Sequence, residues 1–436
     1  MRSGRLIAGI VLLCGCGLVG WGTANAQTQT NSDQAPVKRD ALGWTAGEYY
    51  QRGVKRHQEG DLDGAIADFT EAIELDRKFV KAYLDRSWAR LDKGDLDGVI
   101  ADCQQAIALN PRAFMAYNNW GAALFRKHDN EGAIRCFDTC LRLRPGLVMA
   151  YYNRAYALME ERDWDGAIKD FTRAIKIDPK QPSGYEDRAW AEYKAGENDR
   201  AIADCNKANA MDSKSLCPYV ALAWIKSDLR DYDGAIAAAN KALEIDPKSL
   251  AAYDARAWAE FEKGSDDLAS ADYSRILGLD PSHTPALNNR ATLRNQQGDY
   301  DGAIADLDLA IKIDPIHANA YSNRAWAKYK KGDFDGSIAD ATEGIEREPK
   351  YPGDYAVRAW ARYAKSDKAG ALEDCNRAIE FHKADLPPNE SRGLLDFIKG
   401  DFAGAVDSWE KEIQRDANEK QDLQPWIDKA KANLKR

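Results

Sequence analysis

The chain has 436 residues, of which 30% are charged and 44% hydrophobic, and a net charge of −9 at pH 7. A single core seldom grows to that length, which leaves several domains or an array of repeats. The acidic balance speaks against a general nucleic-acid binder and reads otherwise as an aid to solubility.

Residues 1–26 differ in kind from the rest. Arg2 and Arg5 precede an apolar run from Leu6 to Val19, and Thr-Ala-Asn-Ala closes at Ala26. A basic start, an apolar stretch and a small-residue cleavage site are the parts of a secretory signal peptide. The mature chain is therefore expected to be exported, periplasmic or secreted. A rival reading stays open: Leu13-Cys14-Gly15-Cys16 partly fits a lipoprotein box, which would leave Cys16 acylated. An uncleaved anchor is the third. Beyond the signal, no stretch reaches the ~18 apolar residues that a membrane span needs, so no span is expected after cleavage.

Residues 27–45 are polar and read as a solvated linker. Order should begin at Trp44. Thr45 is a good N-cap, Glu48 completes a capping box with it, and Trp44 can staple onto Tyr49.

From residue 46 to residue 419 one 34-residue pattern recurs eleven times. An Asp-Gly-Ala-Ile element, in variants, sets its glycine at Gly64, Gly98, Gly132, Gly166, Gly234, Gly302, Gly336, Gly370 and Gly404, every spacing being 34 residues or 68. Arg200 and Leu268 keep the beat with another residue. A fixed period of this length marks an array in which each unit buries its apolar faces only against its neighbours.

Each copy reads as two helices. In residues 318–351, Tyr321, Ala325 and Tyr329 form one apolar stripe, and Gly332 ends the first helix. Asp333 caps the second helix, and Glu348-Pro349 stops it. The copies starting at Leu250 and Leu386 fit least well. Glycine in the first turn of the second helix costs up to ~1 kcal/mol per copy relative to Ala. A close backbone approach there is the expected reason. Residues 420–436 carry Leu423, Trp426, Ile427, Ala430 and Leu434 at helical spacing and read as a helix capping the last repeat.

One slot of the repeat is aromatic, as at Tyr83, Tyr151, Tyr185, Tyr253, Tyr321 and Tyr355. Two others are small, as at Gly53, Gly121, Ala189 and Ala325, and at Ala65, Ala133, Ala235 and Ala371. Asp-Pro closes copies at Pro179, Pro247, Pro281 and Pro315. With these features the chain resembles the tetratricopeptide repeat family. The resemblance implies an all-α fold, a right-handed superhelical α-solenoid, in which the first helices line a concave groove.

Comparison among the copies reveals a coupling. Arg stands three residues after the aromatic slot and Asp sixteen residues after that Arg, as in Arg86 and Asp102, Arg188 and Asp204, Arg256 and Asp272, and Arg324 and Asp340. Two internal copies lose both, with Trp120 and Cys136 in one and Leu222 and Ala238 in the other. Joint loss suggests contact, and a bidentate structural ion pair between the two helices of a repeat is expected. The bland alternative is that each is separately solvated.

Tryptophan supplies the functional clue. Trp88, Trp190, Trp224, Trp258, Trp326 and Trp360 share one slot, and Tyr156 holds it in another copy. Three residues on come Tyr193, Phe261, Tyr329 and Tyr363, on the same helix face. In the resembling family these slots tend to line the concave groove. Two roles stand side by side: packing between successive first helices, or part-exposed anchors for an extended ligand.

Catalytic chemistry has no visible basis. His57, His128, His283, His317 and His382 are scattered, without a nucleophile or a carboxylate constellation beside them. Cys136 and Cys140 have metal-pair spacing but no further ligand in pattern, and Cys103, Cys205 and Cys375 read as core residues. No enzyme activity, cofactor or metal is expected. The expected function is a scaffold that binds a partner protein or peptide. The alternative is glycan binding in envelope polysaccharide assembly, and a spacer without ligand is the third reading.

Overall fold

The computed structural model describes residues 38–41, 43–381, 389–415 and 417–435. The expected signal peptide with Cys16, most of the linker, His382 and the start of the copy from Leu386 lie outside the described residues.

The described residues fall into two compact units that divide between Ile225 and Lys226. In the N-terminal unit the helices come in pairs: α1 (Ala46–Gln58) with α2 (Leu62–Leu75), α3 (Val80–Lys93) with α4 (Leu96–Leu109), and α5 (Phe114–Arg126) with α6 (Asn130–Leu143). Then follow α7 (Val148–Glu160) with α8 (Trp164–Ile177), α9 (Pro182–Lys194) with α10 (Asn198–Met211), and α11 (Cys217–Asp228), within which the division falls. The C-terminal unit continues with α12 (Tyr232–Ile245), α13 (Leu250–Lys263), α14 (Asp266–Leu279), α15 (Thr284–Gln297) and α16 (Tyr300–Ile313). It ends with α17 (Ala318–Lys330), α18 (Phe334–Arg347), α19 (Pro352–Ala364), α20 (Lys368–Phe381), α21 (Asn389–Lys399), α22 (Phe402–Arg415), a 3₁₀ turn (Ala417–Glu419) and α23 (Lys420–Leu434). No strand occurs among the described residues; Arg39 and Thr45 form an isolated bridge.

Two adjacent signals make each hairpin. The first helix runs into a residue with left-handed backbone, as at Gly94, Gly264, Gly298 and Gly332, with φ between 80° and 88°. In most copies an aspartate follows and caps the second helix: Asp61 Oδ1 accepts from the Gly64 N–H at 2.9 Å, and Asp333 Oδ1 from the Gly336 N–H at 2.9 Å; Glu197 and Ser265 hold the position in two copies without a side-chain cap. In four copies the left-handed position holds His128, Arg162, Arg230 or Ser366, at φ of 59° to 70°. An L side chain in that conformation costs roughly 1–2 kcal/mol.

The first-turn glycine answers to the cap and not, as expected from sequence, to another backbone. A Cβ on Gly98 would fall on the Asp95 carboxylate and within 2.9 Å of Arg90 Cδ. Glycine leaves room for the capping carboxylate and for an arginine stem from the first helix. Elsewhere, glycine makes room for a ring: a Cβ on Gly121 would lie 2.7 Å from the Phe137 ring, and one on Gly53 2.8 Å from Phe69. Phe69, Phe137 and Phe171 are fully buried at the centre of their repeats.

Within each unit the second helix of a repeat packs on its own first helix and on the first helix of the next, as α4 does on α3 and α5 and α16 on α15 and α17. First helices also touch one another, α3 with α5 and α15 with α17. Such contacts run from α1 to α7 in the one unit and from α15 to α21 in the other, and the candidate site lies along the first helices. At the N-terminal end Thr45 and Glu48 form the capping box, and Trp44 sits 5.2 Å from Tyr49.

At the other end α23 buries Leu423, Ile427 and Ala430, while Leu434 of the expected apolar stripe is 54% exposed. This helix does more than cover the last repeat. Asp422 pairs with Lys330 on α17, and Trp426 stands 5.1 Å from Trp360 on α19. It therefore crosses the face of the first helices for three repeats.

Candidate binding face

The Arg–Asp couples meet as forks. Arg86 Nε and Nη2 donate to the two oxygens of Asp102 at 2.9 and 2.6 Å. The same fork joins Arg188 to Asp204 at 2.6 and 2.9 Å, Arg256 to Asp272 at 2.8 and 2.7 Å, and Arg324 to Asp340 at 2.8 and 2.6 Å. Arg52, Arg154, Arg290 and Arg358 do likewise with Asp68, Asp170, Asp306 and Asp374. The aspartates are buried and the arginines half-buried, so the ion pairs belong to the frame of the repeat.

Two further arms of this device were not read from sequence. The spare Nη1 of the arginine reaches back to the second helix of the preceding repeat: Arg86 to Thr70 at 2.9 Å, Arg256 to Asn240 at 2.6 Å, Arg324 to Asp308 at 2.7 Å. One arginine thus ties three helices of two repeats. A second cation four residues on shares the aspartate in several copies, as Arg90 does with Asp102 at 2.9 Å and Lys328 with Asp340 at 2.8 Å. In the copy of Asp170 that position is Leu158. Burial there holds the Asp170 carboxyl above its ordinary range, with the Arg154 fork working against the shift.

The ring slot lies at the seam between successive first helices. His57 on α1 meets Trp88 on α3 edge-on at 4.7 Å, and the Tyr156 hydroxyl on α7 donates to Asp187 Oδ2 on α9 at 2.8 Å. Trp190 and Tyr193 lie 5.4 Å apart with Lys194 Nζ 5.0 Å from each ring centre. Trp326, Tyr329 and Lys330 repeat that arrangement four repeats later, with Lys330 Nζ 5.3 Å from the Trp326 ring. Trp258 is tilted against Phe261 at 6.2 Å.

The slot does not give one uniform ribbon. Trp88, Tyr156, Trp190, Tyr193, Trp258, Trp326, Tyr329 and Tyr363 keep part of their surface open. Trp224, Phe261 and Trp360 are only 3–4% exposed and offer no face to a ligand, which corrects their place among the expected binding residues. Trp360 is covered by Trp426, and its Nε1–H donates to Glu390 Oε1 at 2.9 Å. Burial pushes that Glu390 carboxyl up to about 7.

A ladder of polar bonds between first helices accompanies the rings and was also missed. The Tyr50 hydroxyl donates to Asp85 at 2.6 Å, Asn153 Nδ2 to Asn118 Oδ1 at 3.1 Å, and Asn323 Nδ2 to Asn288 Oδ1 at 2.8 Å. Each step spans 35 residues, one repeat plus one position. Asp187, in the same ladder, is pushed up to about 7 by burial against the Tyr156 hydrogen bond.

Other sequence candidates have structural employment. His57 Nε2 lies 2.8 Å from Asp92, and His283 and His317 accept from backbone N–H groups at their helix starts. Burial pushes the thiols of Cys103, Cys140, Cys205 and Cys375 up to about 12, which leaves them protonated and unreactive. Among the described residues no helix is long and apolar enough to cross a membrane.

Family profiles described as tetratricopeptide repeat match residues 50–114, 148–181 and 218–249, and one described as TPR repeat matches 291–332. The chain is a tetratricopeptide repeat protein. No curated protein matches it in sequence. Among solved structures it is similar to the APC/C hetero-tetramer Cut9–Hcn1, at 15% identity over 83% of this chain and 78% of that one, with a TM-score of 0.49. It is also similar to a tetratricopeptide repeat protein from Parabacteroides merdae, at 17% identity over 58% and 98% of the two chains (TM-score 0.45). Yeast Tom70 is similar at 17% identity over 89% and 96%, with a TM-score of 0.39.

In the C-terminal unit of this repeat array the face of the first helices is shaped into a recess of about 690 Å³, walled by α15, α17, α19 and the start of α23. A second hollow of about 410 Å³ lies beside it, between Trp326, Tyr329 and Trp426.

Proposed function

We propose that this tetratricopeptide repeat protein is a non-catalytic scaffold that holds a partner protein or an extended peptide on the face of its first helices. The observation that carries the reading is the set of part-open rings at Trp88, Trp190, Trp258 and Trp326, held by His57 of the preceding first helix in the case of Trp88 and by Tyr193, Phe261 and Tyr329 of their own helices in the others. Rigid, half-buried tryptophans lose little entropy on binding and are over-represented among anchors of protein interfaces. Repetition along the chain adds avidity for a ligand long enough to engage several repeats. The export signal expected in residues 1–26 would bring the mature chain to a partner in the periplasm or outside the cell.

A photo-crosslinking side chain placed at Trp190 or Trp258 in the mature chain tests this. Protein adducts are expected from those sites and not from the same group at Lys176, an exposed residue of a second helix. Equal adduct yields at all three would remove the first-helix face as the binding surface.

A further inference from the structure

The smaller hollow on the C-terminal unit combines four part-open rings, Trp326, Tyr329, Phe334 and Trp426, with the carboxylate of Glu390. We propose that it binds a quaternary ammonium group, the rings receiving the methylated cation and Glu390 facing its charge. The site goes beyond the scaffold reading above and does not depend on it.

Charge decides the sign of the ligand. Lys330, Lys331, Glu390 and Asp422 are the charged residues that line the hollow. Lys330 is paired with Asp422, and Lys331 with Asp301. That leaves Glu390, half-buried near the start of α21. Its Oε1 accepts from the Trp360 Nε1–H at 2.9 Å, and among the described residues no lysine, arginine or histidine is paired with it. Glu412 on α22 and Asp422 on α23 add negative potential around it, and Tyr329 on α17 and Cys375 on α20 are the other titratable groups within its field. A cation entering the hollow would offset that potential and favour the ionised carboxylate.

The rings decide the kind of cation. Tyr329 lies 5.7 Å from Trp326 and 5.9 Å from Phe334. The protein already sets cations on two of the four rings: Lys330 Nζ stands 5.3 Å from the centre of Trp326, and Lys429 Nζ 4.7 Å from that of Trp426. Tyr329 and Phe334 carry no such cation among the described residues. A primary ammonium would need acceptors for three N–H groups, and a hard metal ion several oxygen ligands. Glu390 alone cannot supply either. A quaternary ammonium has no donor to satisfy and meets ring faces through its methyl groups. The volume, about 410 Å³, falls within the range of sites that take small ligands.

The full chain is titrated calorimetrically with choline and with its neutral isostere, in which a tert-butyl group replaces the trimethylammonium. Choline is expected to bind at least ten-fold more tightly. Glu390→Gln keeps an acceptor for Trp360 and removes the charge. It should weaken choline at least ten-fold and leave the isostere unchanged. In the native chain choline affinity should rise from about pH 6 to about pH 8, and binding at about pH 6 should release protons, read as a heat that varies with the ionisation enthalpy of the buffer. Glu390→Gln should abolish both effects. Sedimentation with phosphatidylcholine vesicles separates two sources of the group. Vesicle binding competed by free choline assigns the site to a lipid headgroup, and choline binding without vesicle binding assigns it to a free small molecule. The proposal falls if the isostere binds the native chain as tightly as choline, if Glu390→Gln with its helical spectrum intact binds choline undiminished, or if choline does not bind. Partner adducts from Trp190 are read separately, so those results leave the scaffold reading standing.

Discussion

Arg324 grips Asp340 with two parallel hydrogen bonds of 2.8 and 2.6 Å, and with its third donor it holds Asp308 of the preceding repeat at 2.7 Å. The fork is half-buried at the arginine and almost fully buried at the aspartate. Removing either partner breaks the fork and leaves Asp340 with Lys328 alone or Arg324 with Asp308 alone, at a cost of up to about 3 kcal/mol. In a double-mutant cycle on urea unfolding, Arg324→Met and Asp340→Leu should show a coupling energy of at least ~1 kcal/mol. Additive effects would mean that the two side chains act separately.

The left-handed turn predicts stabilising substitutions. Arg162 and Ser366 hold φ of 59° and 70°, where other copies have glycine. Arg162→Gly and Ser366→Gly should each stabilise the chain by up to about 1 kcal/mol, the relief of backbone strain exceeding the entropy glycine adds to the unfolded chain. Thermal melting of each variant reads this, and a lower melting temperature would show that the side chains contribute more than the strain costs.

The first-turn glycine predicts a change of sign with background. Gly336→Ala places a methyl against the Asp333 carboxylate and Lys328 Cδ. The lost cap, about 1 kcal/mol, should cancel or exceed the gain in helix propensity. In an Asp333→Ala background, where the cap is already gone, the same substitution should stabilise by up to about 1 kcal/mol. Denaturant midpoints of the four chains decide it; equal effects in both backgrounds would contradict the role given to the cap.

The buried ladder carboxylate Asp187 predicts a pH dependence. Its folded value, about 7, lies above the ordinary carboxylate value. The folded chain therefore holds a proton that the unfolded chain releases, and this contribution to stability falls as pH rises from about 4 through 7. Asp187→Asn keeps an acceptor for the Tyr156 hydroxyl and removes the titration. It should stabilise on the order of 2 kcal/mol at pH 8 and little at pH 4. A melting-temperature difference that does not change with pH would contradict this.

How much of this was legible in the sequence depended on whether a role was tied to one residue type. The helical hairpins were legible because Gly332 and Asp333 sit side by side at a fixed beat. The Arg324–Asp340 fork was legible because both residues vanish together in the copies of Trp120 and Leu222. The third arm was not, because its acceptor is Thr70 in one repeat, Asn240 in another and Asp308 in a third, unlike residues that share only an oxygen. Ring exposure was not legible either. Trp326 and Trp360 occupy the same slot, yet one stays part-open and the other is buried. The difference is made by Trp426, on a helix 66 residues further along whose return across the first helices leaves no periodic trace.

Hydroxyl-radical footprinting of the chain, read tryptophan by tryptophan by mass spectrometry, tests which rings of this slot stay open. Oxidation at Trp88, Trp190, Trp258 and Trp326, with Trp224, Trp360 and Trp409 protected, is the predicted pattern. Addition of a crosslinked partner should then protect the first four. Protection of all of these tryptophans in the free chain, or oxidation of the four unchanged by the partner, would contradict a binding surface built from these rings.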